Sequence, residues 1–175
     1  MTPIILILLM PLLMIPEPSI YLGDYYSEKD SLGKALEQYE GALHTLPGDN
    51  SKEMALERAR VLEAIGTIYQ NFDEYETAYS RYQEAERLLL QHHDYNKLIS
   101  LYGKMANIFL RNSDIQRNKQ IIEKCDAIVT KVTDRNVLAS YYTNRGNVYG
   151  YDEDYVKCDD YFQKAMDILN ETADS

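Results

Sequence analysis

Tryptophan is absent from the 175 residues, and cysteine, histidine and phenylalanine are scarce, with two, three and three copies. Cys125 and Cys158 are too few for the cross-linked framework of a small secreted domain. No Cys or carboxylate stands at ligand spacing around His44 or His92-His93, so no metal site is expected. Positive charge is in deficit: 18 Lys and Arg against 28 Asp and Glu leave a formal charge of −10 and a pI of about 4.7. That balance opposes nucleic-acid binding, which draws on Lys and Arg to displace counterions from phosphates. It favours solubility and basic partners. There is no glycine-rich phosphate loop, nucleophile elbow or Ser-His-Asp arrangement, so no catalytic residue, enzyme activity or cofactor is assigned. Asp152-Glu153-Asp154 lacks the turn glycine and distal glutamate of a calcium loop and reads as an acidic helix start. Asn170-Glu171-Thr172 is a formal glycosylation sequon, relevant only in a eukaryotic secretory route.

Charge of either sign is missing from Met1–Ile15, MTPIILILLMPLLMI. A signal peptide has a positive start, an apolar stretch of about 7–15 residues and a small-residue cleavage site, and only the stretch is present. A spanning helix takes about 20 apolar residues, and Pro11 interrupts this shorter run by removing a helical hydrogen bond. Two readings stand. The segment is an export signal or membrane anchor, or it is an apolar helix packed on the rest of the chain and capping one end of it. Localisation stays open with it, between exported or membrane-associated and cytoplasmic.

What the chain does have is a repeat, and tyrosine, with 16 copies. Gly66, Tyr69, Tyr75, Ala78, Tyr82 and Ala85 recur 40 residues later as Ala106, Phe109, Ile115, Asn118, Ile122 and Cys125. They recur again as Gly146, Tyr149, Tyr155, Cys158, Phe162 and Ala165. An upstream copy, Gly23, Tyr26, Leu32, Ala35, Tyr39, Ala42 and then Pro47, precedes Gly66 by 43 residues. Steps of three and four residues put side chains on one helix face. The step of six crosses a polar break: Ser27–Asp30, Gln70–Asp73, Arg111–Asp114 or Gly150–Glu153. The Asp, Asn and Ser of these breaks suit helix N-caps, and Asp94 and Asp134 suit the starts of the third and fourth repeats. Four helix–turn–helix units, about eight helices, are expected. Gly or Ala lets paired helices approach, and aromatics fill the space between them. Nine of the tyrosines occupy repeat slots: Tyr26, Tyr39, Tyr69, Tyr75, Tyr82, Tyr102, Tyr142, Tyr149 and Tyr155. The tyrosine excess therefore reads as core. So do Cys125 and Cys158, which stand at small-residue slots.

Leu22-Gly23-Asp24-Tyr25-Tyr26 and Ala35-Leu36-Glu37-Gln38-Tyr39-Glu40-Gly41-Ala42, closing on Pro47, resemble the tetratricopeptide repeat (TPR), as do Tyr75-Glu76-Thr77-Ala78 and Tyr155-Val156-Lys157-Cys158. The resemblance covers roughly residues 16–170. It implies an all-α fold, a right-handed α-α superhelix of about eight antiparallel helices. The repeats fall at about 16–50, 51–93, 94–133 and 134–170, after the apolar segment 1–15. The period of 40 exceeds the family's 34. The large first slot holds Ser19, Leu62, Tyr102 and Tyr142 rather than Trp, Asn118 and Cys125 replace Ala, and Arg145 replaces Leu, so the last two repeats are expected to pack differently.

In this family the first helices line a concave groove. Members that bind extended peptides use polar residues one and five positions after the Gly slot, and others two before it. Here those positions include Asn71, Lys104, Asn107, Arg111, Asn144 and Asn147. Asn donates and accepts at once, as a peptide amide requires, and Lys104 and Arg111 suit a carboxylate. Repeat one is acidic at these places, with Glu17, Asp24 and Glu28, which argues against the set of cations that grips a C-terminal carboxylate. The expected function is a non-catalytic scaffold binding a protein or peptide in that groove. The alternative is a sensory or regulatory input module, exported or membrane-tethered through Met1–Ile15. Solenoids normally close with a polar-faced helix, and the apolar edge at Ile168 and Leu169 suggests self-association at the last repeat or covering by a partner.

Overall fold

A computed structural model describes residues 18–46 and 51–173. Met1–Ile15, Glu17 and Pro47 lie outside the described residues. Eight α-helices follow one another among the described residues: α1 (Pro18–Glu28), α2 (Leu32–Thr45), α3 (Lys52–Asn71), α4 (Tyr75–Gln91), α5 (Tyr95–Arg111), α6 (Ile115–Asp126), α7 (Arg135–Tyr151) and α8 (Tyr155–Ala173). A 3-10 turn, Val129–Lys131, sits between α6 and α7. No strand occurs among the described residues. Consecutive helices pair as α1 with α2, α3 with α4, α5 with α6 and α7 with α8. The second helix of each pair packs on the first helix of the next, and α3, α5 and α7 touch in turn. The result is an all-helical solenoid.

The small residues do what close approach demands. A methyl group added to Gly66 would lie 2.5 Å from the Tyr82 ring, and one on Gly146 would lie 2.9 Å from the Phe162 ring. Ala35, Ala78 and Ala85 are fully buried opposite. Two apolar clusters result. One joins Ile20, Tyr39, Ala42 and Leu46 to Ile65 and Ile68, and a larger one runs from Leu62 and Tyr82 through Met105 and Phe109 to Tyr141 and Val148.

Asp94, Asp114, Asp134 and Asp154 cap α5 to α8, each accepting at least one backbone N–H at 2.9–3.2 Å. Asp30 and Asp73 do not cap. They take positive φ, as do His93, Ser113 and Glu153. Each of these five residues closes a helix C-terminus, and the residue after it sends its N–H five residues back: Ser31 to Tyr26, Glu74 to Tyr69, Asp94 to Leu89, Asp114 to Phe109 and Asp154 to Tyr149. That bond is the signature of a Schellman turn, whose left-handed residue is usually Gly. The breaks thus serve the preceding helix end as much as the next helix start.

Tyr39, Tyr82 and Tyr102 are core, as the slots predict. Tyr155 is not: it is among the exposed large side chains, because it opens α8 on the outer surface. Tyr75 is half-buried and donates its hydroxyl to Asp73 at 2.6 Å. Cys125 is buried and Cys158 only partly so. Arg145, in a leucine slot, is accommodated by a salt bridge to Asp126 at 3.0 Å and by the Tyr149 and Tyr161 rings beneath its guanidinium. Asn118, in an alanine slot, donates to the Ala106 carbonyl at 2.9 Å. The compensation is partial: Asn118 Oδ1 and Arg145 Nε are buried without a hydrogen-bond partner among the described residues.

Candidate peptide-binding trough

Of the first helices, α3, α5 and α7 touch in turn, and α3 reaches α1 through the Arg60–Asp24 ion pair. On α5, Asn107 and Arg111 are exposed. On α7, Asn144 and Asn147 are half-buried. The Asn144 amide nitrogen stands 3.0 Å from where a methyl group on Gly103 would be, so Asn144 covers that glycine and bridges α7 to α5. Asn71 is exposed at the end of α3. The structure therefore brings Asn107, Arg111, Asn144 and Asn147 onto two adjacent helices, with Asn71 one helix away.

Lys104 is differently placed. Its ammonium group is 2.7 Å from the Glu63 carboxylate and donates to the Thr67 hydroxyl at 3.3 Å, both on α3. Thr67 in turn meets the Tyr82 hydroxyl at 3.2 Å, which donates to Gln70 at 3.0 Å. One helix earlier, Arg60 of α3 meets Asp24 of α1 at 3.0 Å and Glu57 at 2.9 Å. Arg60 and Lys104 are thus both paired with carboxylates of neighbouring helices. These half-exposed pairs contribute little stability each.

Sequence reasoning missed Arg60 and Glu63. For Glu63 a usable signal existed. Glu63 and Lys104 are opposite charges 41 residues apart, and the same separation links Glu40 to Arg81 and Glu76 to Arg117, both at 3.0 Å on the second helices. Searching for opposite charges at that separation finds these three pairs, but not Arg60, which lies 36 residues from Asp24.

Three carboxylates, Asp24 on α1 and Glu86 and Asp126 near the second and third joins between repeats, are each bonded by a tyrosine and a cation. Asp24 takes Tyr39 at 2.6 Å and Arg60 at 3.0 Å. Glu86, itself buried, takes Tyr102 and Lys124, both at 2.8 Å. Asp126 takes Tyr141 at 2.7 Å and Arg145 at 3.0 Å. Burial first, and the accepting carboxylate second, hold the Tyr39, Tyr102 and Tyr141 phenols well above the ordinary tyrosine range. Burial likewise pushes the Tyr82 phenol and the Cys125 thiol up to about 12. All of these groups stay neutral at physiological pH and act as donors or fillers, not nucleophiles. Among the described residues no group of three His, Cys, Asp or Glu is placed to hold a metal ion. No described helix is long and apolar enough to cross a membrane.

Stacked helix pairs with small residues at each close approach and an open polar face define a TPR-like repeat solenoid. No protein-family model matches the chain, and no curated protein matches it. Solved structures do. BtubC (BKLC) from P. vanneervenii superposes with a TM-score of 0.72 at 20% identity, over 89% of this chain and 63% of its own. The apo form of RapI gives 0.74 at 15% identity, over 89% and 43%. The nearly identical TPR-like repeats of a kinesin light chain from Podosopora anserina give 0.67 at 13% identity, over 90% and 76%. The chain spans less than two thirds of BtubC and less than half of RapI. At these identities the likeness is one of fold.

Proposed function

We propose that the chain is a non-catalytic scaffold whose α5–α7 half-trough docks an extended protein segment, with Asn107 and Asn147 bonding its backbone. The supporting observation is a contrast along the trough. Between α1 and α5 the groove cations Arg60 and Lys104 are engaged by neighbouring carboxylates. On the touching helices α5 and α7, Asn107 and Arg111 are exposed and Asn144 and Asn147 half-buried. An Asn amide satisfies both the N–H and the C=O of a peptide unit, which an open polar face otherwise leaves to water. Neither α5 nor α7 contains an Asp or Glu. Of their cations, Lys97, Lys104, Arg135 and Arg145 pair with Asp94, Glu63, Glu171 and Asp126, so Arg111 is the group on these helices that is placed to receive a carboxylate of the docked segment. The fold exposes a shallow surface rather than a dry pocket, which suits docking rather than chemistry. The alternative of a regulatory module tethered through Met1–Ile15 turns on residues outside the described ones.

The test is affinity capture from the native host with the parent chain and with Asn107→Ala plus Asn147→Ala, bound proteins being quantified by mass spectrometry. Two lost backbone contacts at about 1 kcal/mol each weaken the specific partner by roughly thirtyfold. Equal capture by both chains would remove the site from the trough.

A further inference from the structure

Each seam joins the second helix of one repeat to the first helix of the next, and the slots that build it can be followed through the chain. At the first seam Leu43 and Leu46 of α2 share an apolar cluster with Ile65 and Ile68 of α3. The positions equivalent to Leu43 and Leu46 on α8 are Met166 and Leu169. Those equivalent to Ile65 and Ile68 on α1 are Leu22 and Tyr25. In α3 and α5 these first-helix slots, Ile65, Ile68, Met105 and Ile108, are buried. In α1, Leu22 is 44% and Tyr25 53% exposed, and in α8 Met166 is 55% exposed. Among the described residues, the solenoid therefore presents one half of a seam on α1 and the other half on α8.

The two halves also match in polarity. The second and third seams carry a carboxylate at the Leu43 slot, Glu86 and Asp126, and each meets a tyrosine and a cation. At the second seam Tyr102 of α5 supplies the tyrosine and Lys124 of α6 the cation, and at the third Tyr141 and Arg145 of α7 supply both. The α1 equivalents of Tyr102, Tyr141 and Arg145 are Ser19, Pro18 and Leu22, so α1 offers none of them. Correspondingly α8 carries Met166, not a carboxylate, at that slot. A buried carboxylate facing α1 would be unpaired and costly; a methionine facing Leu22 and Tyr25 repeats the apolar chemistry of the first seam.

We propose that a second copy of this chain docks on these edges, α8 of one copy against α1 of the next, head to tail. The contact is heterologous, so a third copy adds as readily as a second and the assembly grows with concentration. Each copy carries −10, so screening the repulsion between copies strengthens the contact; the Debye length falls from about 10 Å at 0.1 M to about 3 Å at 1 M.

Sedimentation equilibrium of the full chain at rising concentration, in low and high salt, tests this. The expected result is a weight-average mass that climbs past twice the 20.3 kDa of one chain, more steeply in high salt. Leu22→Glu spoils the α1 edge and Met166→Glu the α8 edge, so each alone stays monomeric. Their equimolar mixture pairs the two surviving edges and stops at dimers. Both sites are exposed, and circular dichroism checks that helicity is kept; Tyr25→Glu replaces Leu22→Glu if it is not. A parent chain monomeric throughout would overturn the proposal, leaving the α1 edge to residues 1–15 or a different protein. A mixture that stays monomeric beside an associating parent would equally overturn the head-to-tail arrangement.

Discussion

Replacing a glycine in a helix by alanine has opposite consequences at two positions of this fold. Gly41 lies within α2, exposed, and a methyl group there would meet nothing within 4 Å. Gly66 lies within α3, and its added methyl would sit 2.5 and 2.6 Å from two carbons of the Tyr82 ring and 3.2 Å from the Ala78 carbonyl oxygen. Both substitutions gain the helix propensity of alanine, about 1 kcal/mol. At Gly41 nothing opposes it. At Gly66 the ring is fully buried and hydrogen-bonded to Gln70, so it cannot swing away. The helices must part instead, an overpacking cost of about 1–3 kcal/mol compounded by loosening of the Tyr82 contacts with its neighbours. The net expectation is stabilisation by about 1 kcal/mol for Gly41→Ala and destabilisation by about 1–2 kcal/mol for Gly66→Ala. For a chain of this size that is a rise of about 2–4 °C in Tm for the first and a comparable or larger fall for the second. Thermal and urea melts followed at 222 nm read both. If Gly66→Ala melted at or above the parent, the inference that this glycine exists for helix contact would be refuted. Gly41→Ala controls for propensity in the same experiment.

Cys125 is buried and its thiol is pushed from 9.0 to about 12, so a thiol reagent at pH 8 is expected to modify only Cys158 in the native chain and both cysteines in urea. Because the folded values for Cys125 and Tyr82 lie above their ordinary ones, unfolding releases their protons. Their contribution is complete below about pH 9 and is lost as pH rises towards 12, so urea midpoints should fall across that window and not below it. Tyr102→Phe removes one donor from buried Glu86 and should cost about 1 kcal/mol. With Glu86→Leu, the side-chain type that α2 carries at this slot, the same change should cost almost nothing, a coupling that a double-mutant cycle measures. His93→Gly and Glu153→Gly relieve left-handed backbone at φ of 56° and 59° and should each raise stability by about 0.5–1 kcal/mol, read as a higher urea midpoint.

Much of the architecture was legible before any coordinates. A repeat written in small and aromatic residues at steps of three and four has one economical solution, because helix faces are set by local geometry and only small side chains permit the approach seen at Gly66 and Gly146. The cap residues Asp94 and Asp134 were legible for the same reason: a cap is a contact between residues two or three apart. Asp30 and Asp73 misled, since the same residue type serves both a cap and a left-handed turn, and the backbone, not the side chain, decides which.

What the sequence determined by itself, then, was the repetition: four helix pairs and their close-packed slots. What only the tertiary structure decided was which charges spend themselves on one another. Lys104 meets Glu63, Arg60 meets Asp24 and Arg145 meets Asp126 across helices distant in the chain. Which of several nearby carboxylates a flexible cation reaches depends on the stagger between repeats. That stagger comes from the packing of whole helices, a sum over many contacts that no short stretch of residues encodes.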